Sequence, residues 1–220
     1  MELLTQFIDI ILHVDKYLAL LLEQYGSWIY AILFIIVFCE TGLVVTPFLP
    51  GDSLLFVAGA LAATSGGDTF RIEIVIATLL TAAILGDNVN YWIGRWAGKR
   101  ILAWGETHAR FFNRKAFDMT HAYYEAHGGK TMLVARFMPF VRTFAPFVAG
   151  VGNMHYPRYF AFDLAGAFLW VFSLCLAGYW FGNIPWVKSN LSLIVFATIG
   201  LSLLPLFIAW LRHRLAPKAS

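Results

Sequence analysis

Four ionisable residues stand where water is scarce. Glu40 closes the apolar run 31–39, and Asp52 follows the Pro50-Gly51 break. Arg136 and Arg142 flank Pro139 in a second apolar stretch. Each such group near the centre of a membrane helix costs roughly 2.5–3.5 kcal/mol even on a lenient insertion scale, so four cost on the order of 10 kcal/mol. That rivals the whole stability of a typical domain, so the four must be paired or wetted. Arginine's planar fork grips phosphate through two parallel hydrogen bonds and keeps its proton. Arg136 and Arg142 are therefore the candidates for binding an anionic phosphate headgroup. A carboxyl group in a dry site can take up a proton, which makes Glu40 and Asp52 the candidates for coupling movement of a bound lipid to a proton gradient. The plainer alternative is that acids and arginines only neutralise one another as structural ion pairs.

A secondary site is the string Gly86-Asp87-Asn88-x-Asn90-Tyr91. Asp87 and Tyr91 either line the same cavity or serve as polar glue between helices. His121, Glu125 and His127 complete no ligand quartet, and Cys39 and Cys175 sit in apolar runs as packed thiols, so neither a metal nor a cofactor is expected. Neither a Pro-Ser-Gly-His string nor a Gly-x-Ser-Gly elbow is present. That pattern argues against an enzyme and assigns no catalytic residue.

The elements that must carry these groups are membrane helices. Of 220 residues 60% are hydrophobic and only 13% charged, with a mean hydropathy of +0.69, whereas a soluble domain carries about 25% charged residues. Lipid must cover the surplus apolar surface. The first basic residue is Lys16, which argues against a cleaved signal peptide. No nucleic-acid partner is expected.

Residues 1–27 repeat Glu2, Gln6, Asp9, His13 and Lys16 among apolar residues at helical spacing. They predict an amphipathic helix that either lies in the interface or crosses. Residues 28–215 form one membrane domain, with spanning helices predicted over 72–94, 159–182 and 191–211. Two apolar stretches, 28–64 and 131–155, are interrupted by Pro47, Pro50 and Gly51 and by Pro139, Pro146 and Gly150. Each reads as a re-entrant helical hairpin. Region 95–130 is polar, helix-patterned and rich in Lys and Arg, and the tail 212–220 is basic without an acid. Both belong on the cytoplasmic side. The hairpins then enter from opposite faces, each followed by a spanning helix, and this all-α inverted repeat is a transporter architecture. Meeting tips would set Glu40 and Asp52 against Arg136 and Arg142.

The strings Phe38-Cys39-Glu40-Thr41-Gly42, Pro47-Phe48-Leu49-Pro50-Gly51-Asp52, Gly86-Asp87 with Tyr91 and Gly94-Arg95, and Arg136-Phe137 through Pro139, Arg142, Pro146 and Ala149-Gly150 together resemble the DedA family over nearly the whole chain. The resemblance implies two re-entrant hairpins and a multi-pass protein of the bacterial inner membrane that moves lipids across it. Undecaprenyl phosphate is the implied cargo, with other phospholipids as the alternative. It also implies that Glu40, Asp52, Arg136 and Arg142 serve transport driven by the proton motive force. A passive phospholipid scramblase, or an ion- or proton-coupled antiporter using the same charged cavity, are the competing functions. Oligomeric state is not readable from the sequence.

Overall fold

The computed structural model describes residues 14–43, 51–65, 70–107, 132–133, 136 and 139–186. Among these residues the regular elements are all α-helices, as expected: α1 (Val14–Tyr25), α2 (Trp28–Gly42), α3 (Gly51–Thr64), α4 (Ile72–Thr107), α5 (Pro139–Val151) and α6 (Tyr156–Gly182). The expectations for 1–13, 108–130, 191–211 and 212–220 lie outside the described residues, as do Pro47, Pro50, His121, Glu125 and His127.

Two of the described helices are long and apolar enough to cross a membrane, over Ile72–Ala97 and Tyr156–Gly182. At 1.5 Å per residue each reaches about 40 Å, against a hydrocarbon core of about 30 Å. The helix α4 does not stop at Gly94, where the first span was expected to end. It continues to Thr107, into the polar segment read as a separate region. A fall in hydropathy ends an apolar span without breaking the hydrogen-bond ladder, and Arg, Trp, Ala, Lys and Leu after Gly94 all sustain a helix. By contrast α2, α3 and α5 hold 15, 14 and 13 residues, about 20–22 Å each, too short to cross alone.

The long helices organise the short ones. α2 and α5 both pack along α4, while α3 packs along α6, and α4 also meets α6. On α2 the buried positions Ile29, Leu33 and Val37 recur every fourth residue, so one stripe enters a cluster with Val75, Leu79, Ala82 and Ala83 of α4. The same cluster takes Leu54, Leu55, Val57 and Ala58 of α3 and Trp170, Val171 and Cys175 of α6. In lipid such faces gain little from the hydrophobic effect, so close packing between small residues must hold them. Gly178 on α6 lies against the Phe56 carbonyl of α3, and Gly59 on α3 against the Cys175 carbonyl. A side-chain carbon at either position would overlap the facing backbone.

Pro146 and Gly150, read from the sequence as breaks, lie inside α5 and do not end it. Proline's fixed φ suits a helix and removes one N–H, so α5 loses a hydrogen bond at Pro146 yet runs on to Val151. Gly150 instead admits the Tyr91 carbonyl of α4. The real stop comes at Gly152-Asn153, where Asn153 takes a left-handed φ of 54°. The amides of Asn153 and Met154 close back onto Gly150 and Ala149 at 3.0 Å, a helix-ending motif that asparagine tolerates. Pro157 then starts α6, where its missing N–H costs nothing. Gly51 and Pro139 stand at the starts of α3 and α5.

Candidate functional site

Arg142, on α5, reaches across to the end of α2 and the start of α3. One terminal nitrogen, Nη2, donates to Oε1 of Glu40 at 2.5 Å, and Nη1 donates to Oδ1 of Asp52. Glu40 sits in the last turn of α2 and Asp52 in the first turn of α3. Both acids are thus at helix ends but within helical residues, not on the freed backbone expected from the prolines. Their approach depends on Gly51, where a side-chain carbon would collide with the Glu40 carboxylate. The indole Nε1 of Trp170 donates to the same Asp52 oxygen at 2.8 Å.

Arg136 does not join the Glu40–Asp52 pair, which corrects the expectation that both arginines face both acids. Its Nη1 donates to Oδ2 of Asp87 on α4 at 2.5 Å and to Oδ1 of Asp163 on α6 at 2.7 Å. One arginine can span only so far, and the hairpin acids are already held by Arg142. Asp87 is therefore a full member of the charged centre, with a second acid that the sequence reading passed over. Asp163 is the lone acid within the apolar run 159–181, and an ionisable residue inside a span is itself a site signal. It was hidden by treating that run only as a span.

The two groups are halves of one centre. Trp170 meets both, its ring centroid 4.8 Å from the Arg142 guanidinium carbon and 5.5 Å from that of Arg136. Cation–π attraction at this range lets one indole steady both cations. Four carboxylates then surround two guanidinium groups. The halves differ in access: the Asp52 side chain is 20% exposed, whereas Asp87 and Asp163 are 3% and 0% exposed. Among the described residues Glu40 Oε2, Arg136 Nη2, Arg142 Nε and Asp163 Oδ2 are buried polar atoms without a hydrogen-bond partner.

Asn90 and Tyr91 have structural duties beside this centre. Asn90 Nδ2 donates to the carbonyls of Thr41 at 3.0 Å and Thr143 at 2.7 Å, tying α2 and α5 to α4 next to Glu40 and Arg142. Replacing it in an Asn90→Leu variant removes both of these buried ties, so stability should fall by about 1–3 kcal/mol. Thermal unfolding in detergent reads this directly, and an unchanged midpoint would discount the tie. Tyr91 is fully buried and stacks on Tyr159 with centroids 4.2 Å apart. Its hydroxyl donates to the Met154 carbonyl at 2.5 Å and accepts from Arg95 Nη1 at 2.8 Å. The Tyr159 hydroxyl in turn donates to the Asp87 carbonyl at 2.9 Å. Tyr91 thus props the helices that carry the charges and touches none of the acids.

Short helices packed on long apolar ones, with acids and arginines paired in a buried centre between them, define a helical membrane protein built around a polar site. Residues 27–180 match the family model of the VTT domain. The chain is 52% identical over 216 residues to protein DedA of Escherichia coli (strain K12), covering 98% of this chain and 97% of that relative. It is 42% identical over 181 residues to a membrane protein of Mycobacterium leprae (strain TN), covering 82% and 79%. With the inner membrane protein YqjA of Escherichia coli (strain K12) it shares 35% identity over 187 residues, covering 84% and 81%. No solved structure matches the chain. The chain is a membrane protein of the DedA family.

Proposed function

We propose that this protein carries a lipid phosphate, undecaprenyl phosphate or another phospholipid, across the bacterial inner membrane and couples that movement to protons. It acts as a transporter and not as an enzyme. The observation that carries the proposal is Arg142: its two terminal nitrogens hold two carboxylates while its buried Nε has no partner. Its guanidinium therefore has donor capacity to offer, and phosphate is the anion whose geometry matches the fork. A proton on Glu40 or Asp52 cancels the charge that holds the guanidinium and frees it for phosphate. Loss of that proton restores the ion pair and expels the phosphate. Proton and lipid phosphate thus bind and leave together.

The architecture this requires is the inverted repeat. In its favour, α2, α3 and α5 are each too short to span, and the pairings α3 with α6 and α5 with α4 match one short helix from each half to the long helix of the other. One relative carries the name inner membrane protein. The basic region 95–130 and the basic tail put both on the cytoplasmic side, C-terminus included.

Vesicles reconstituted with the protein and undecaprenyl phosphate test the proposal. Movement between leaflets should speed up under an imposed pH gradient and slow when a protonophore collapses it. Equal rates with and without the gradient would instead favour passive scrambling, and no movement of any phospholipid would remove the proposal.

A further inference from the structure

We infer that Asp87 and Asp163 form a carboxyl dyad that shares a single proton beside the Arg136 guanidinium, a sealed protonation site separate from the one at Arg142 and a latch between α4 and α6. Both acids take their hydrogen bond from the same Nη1 atom, which crowds two carboxyl groups about one NH₂. If both were ionised, one guanidinium would face two negative charges with almost no water to spread the excess, since the two side chains are 3% and 0% exposed. An uncompensated buried charge is costly, and two carboxylates sharing one site resist ionising together. A single proton removes the excess. It also turns one acid into an O–H donor beside buried oxygens, of which Asp163 Oδ2 has no partner.

The surrounding groups leave this proton no rival home. Arg136 and Arg142 are cations, and Glu40 and Asp52 on α2 and α3 take their hydrogen bonds from Arg142 and not from Arg136. From α6 the Tyr159 hydroxyl is engaged with the Asp87 carbonyl. Asp87 lies on α4 and Asp163 on α6, so the shared proton and Arg136 pin together the two long helices. Removing the proton while they stay closed would set like charges against each other, so the proton leaves only when α4 and α6 part. None of this depends on lipid-phosphate transport: a failure of the vesicle assay above leaves the dyad standing, and loss of the dyad leaves the Arg142 chemistry standing.

Infrared spectroscopy of the purified protein in lipid nanodiscs at neutral pH should show a protonated carboxyl band that shifts only slowly after transfer to D₂O. Asp163→Asn should remove that slowly exchanging band, whereas Glu40→Gln and Asp52→Asn should keep it. Absence of the band in the unaltered protein, or its survival in Asp163→Asn, overturns the inference. A second readout is thermal unfolding. Asp163→Asn should keep a midpoint near that of the unaltered protein, because the amide stands in for the protonated acid. The double variant Asp87→Asn with Asp163→Asn, which strips Arg136 of counter-charge, should unfold at a clearly lower temperature. A single variant as unstable as the double would mean that both acids are ionised, and the dyad would be wrong.

Discussion

Arg142→Ala is expected to stop lipid-phosphate movement altogether and to cost about 3–5 kcal/mol of stability, the penalty for stripping a buried ion pair of one partner. Glu40 is 2% exposed, and among the described residues Arg142 is the cation that bonds it, Arg136 being committed to Asp87 and Asp163. Arg142→Lys separates the structural from the transport duty. A lysine keeps the charge but is a compact ammonium without the planar fork, so it can serve one carboxylate and cannot hold phosphate through two parallel bonds. The variant should recover a large part of the thermal midpoint and little of the transport. Vesicle transport beside detergent unfolding measures both at once. Full transport in Arg142→Lys would reduce the role of Arg142 to charge compensation.

Arg136→Leu should be as damaging to folding as Arg142→Ala, again by about 3–5 kcal/mol, since two sealed carboxyl groups lose the guanidinium that bonds them both. Here the damage should be reversible by further substitution. Combining Arg136→Leu with Asp87→Asn and Asp163→Asn removes every charge from the sealed half. Buried ion groups replaced by uncharged ones of similar size often leave stability unchanged or raised. The triple variant should therefore regain a midpoint near that of the unaltered protein. The same rescue attempted on the Arg142 half should restore folding but not transport. If the triple variant is no more stable than Arg136→Leu, the cluster is not governed by charge balance and packing around the Arg136 side chain is the deciding factor.

Both expectations turn on how six charged groups divide, and that division separates what could be read along the chain from what could not. Glu40, Asp52, Asp87, Arg136 and Arg142 announce themselves because a charge inside an apolar run must have a reason to be there. Asp163 carried the same signal, the one acid in a mostly apolar 27-residue helix. The apolar spans over 72–94 and 159–182 were legible for a similar reason: bilayer thickness sets a length, and composition meets it or does not. Motif strings spread from Glu40 to Gly150 carried the family as well, now supported by identity over nearly the full length.

Partnership was not legible. Arg136 and Arg142 are six residues apart, and nothing local tells them that one will turn to α2 and α3 and the other to α4 and α6. The choice is made by which short helix lies along which long one, and by glycines such as Gly51 and Gly178 whose value is the backbone they admit. Proline content misled at Pro146 because a proline says only that one N–H is missing; whether the helix ends there depends on what packs around it. The chain by itself determined that it lives in a membrane, that it buries charge there, and which family it belongs to, since these follow from composition and from residue identities. Tertiary structure alone decided that four acids share two arginines in two unequal halves, one half-open and one sealed, because pairing depends on distances between helices that no local pattern encodes.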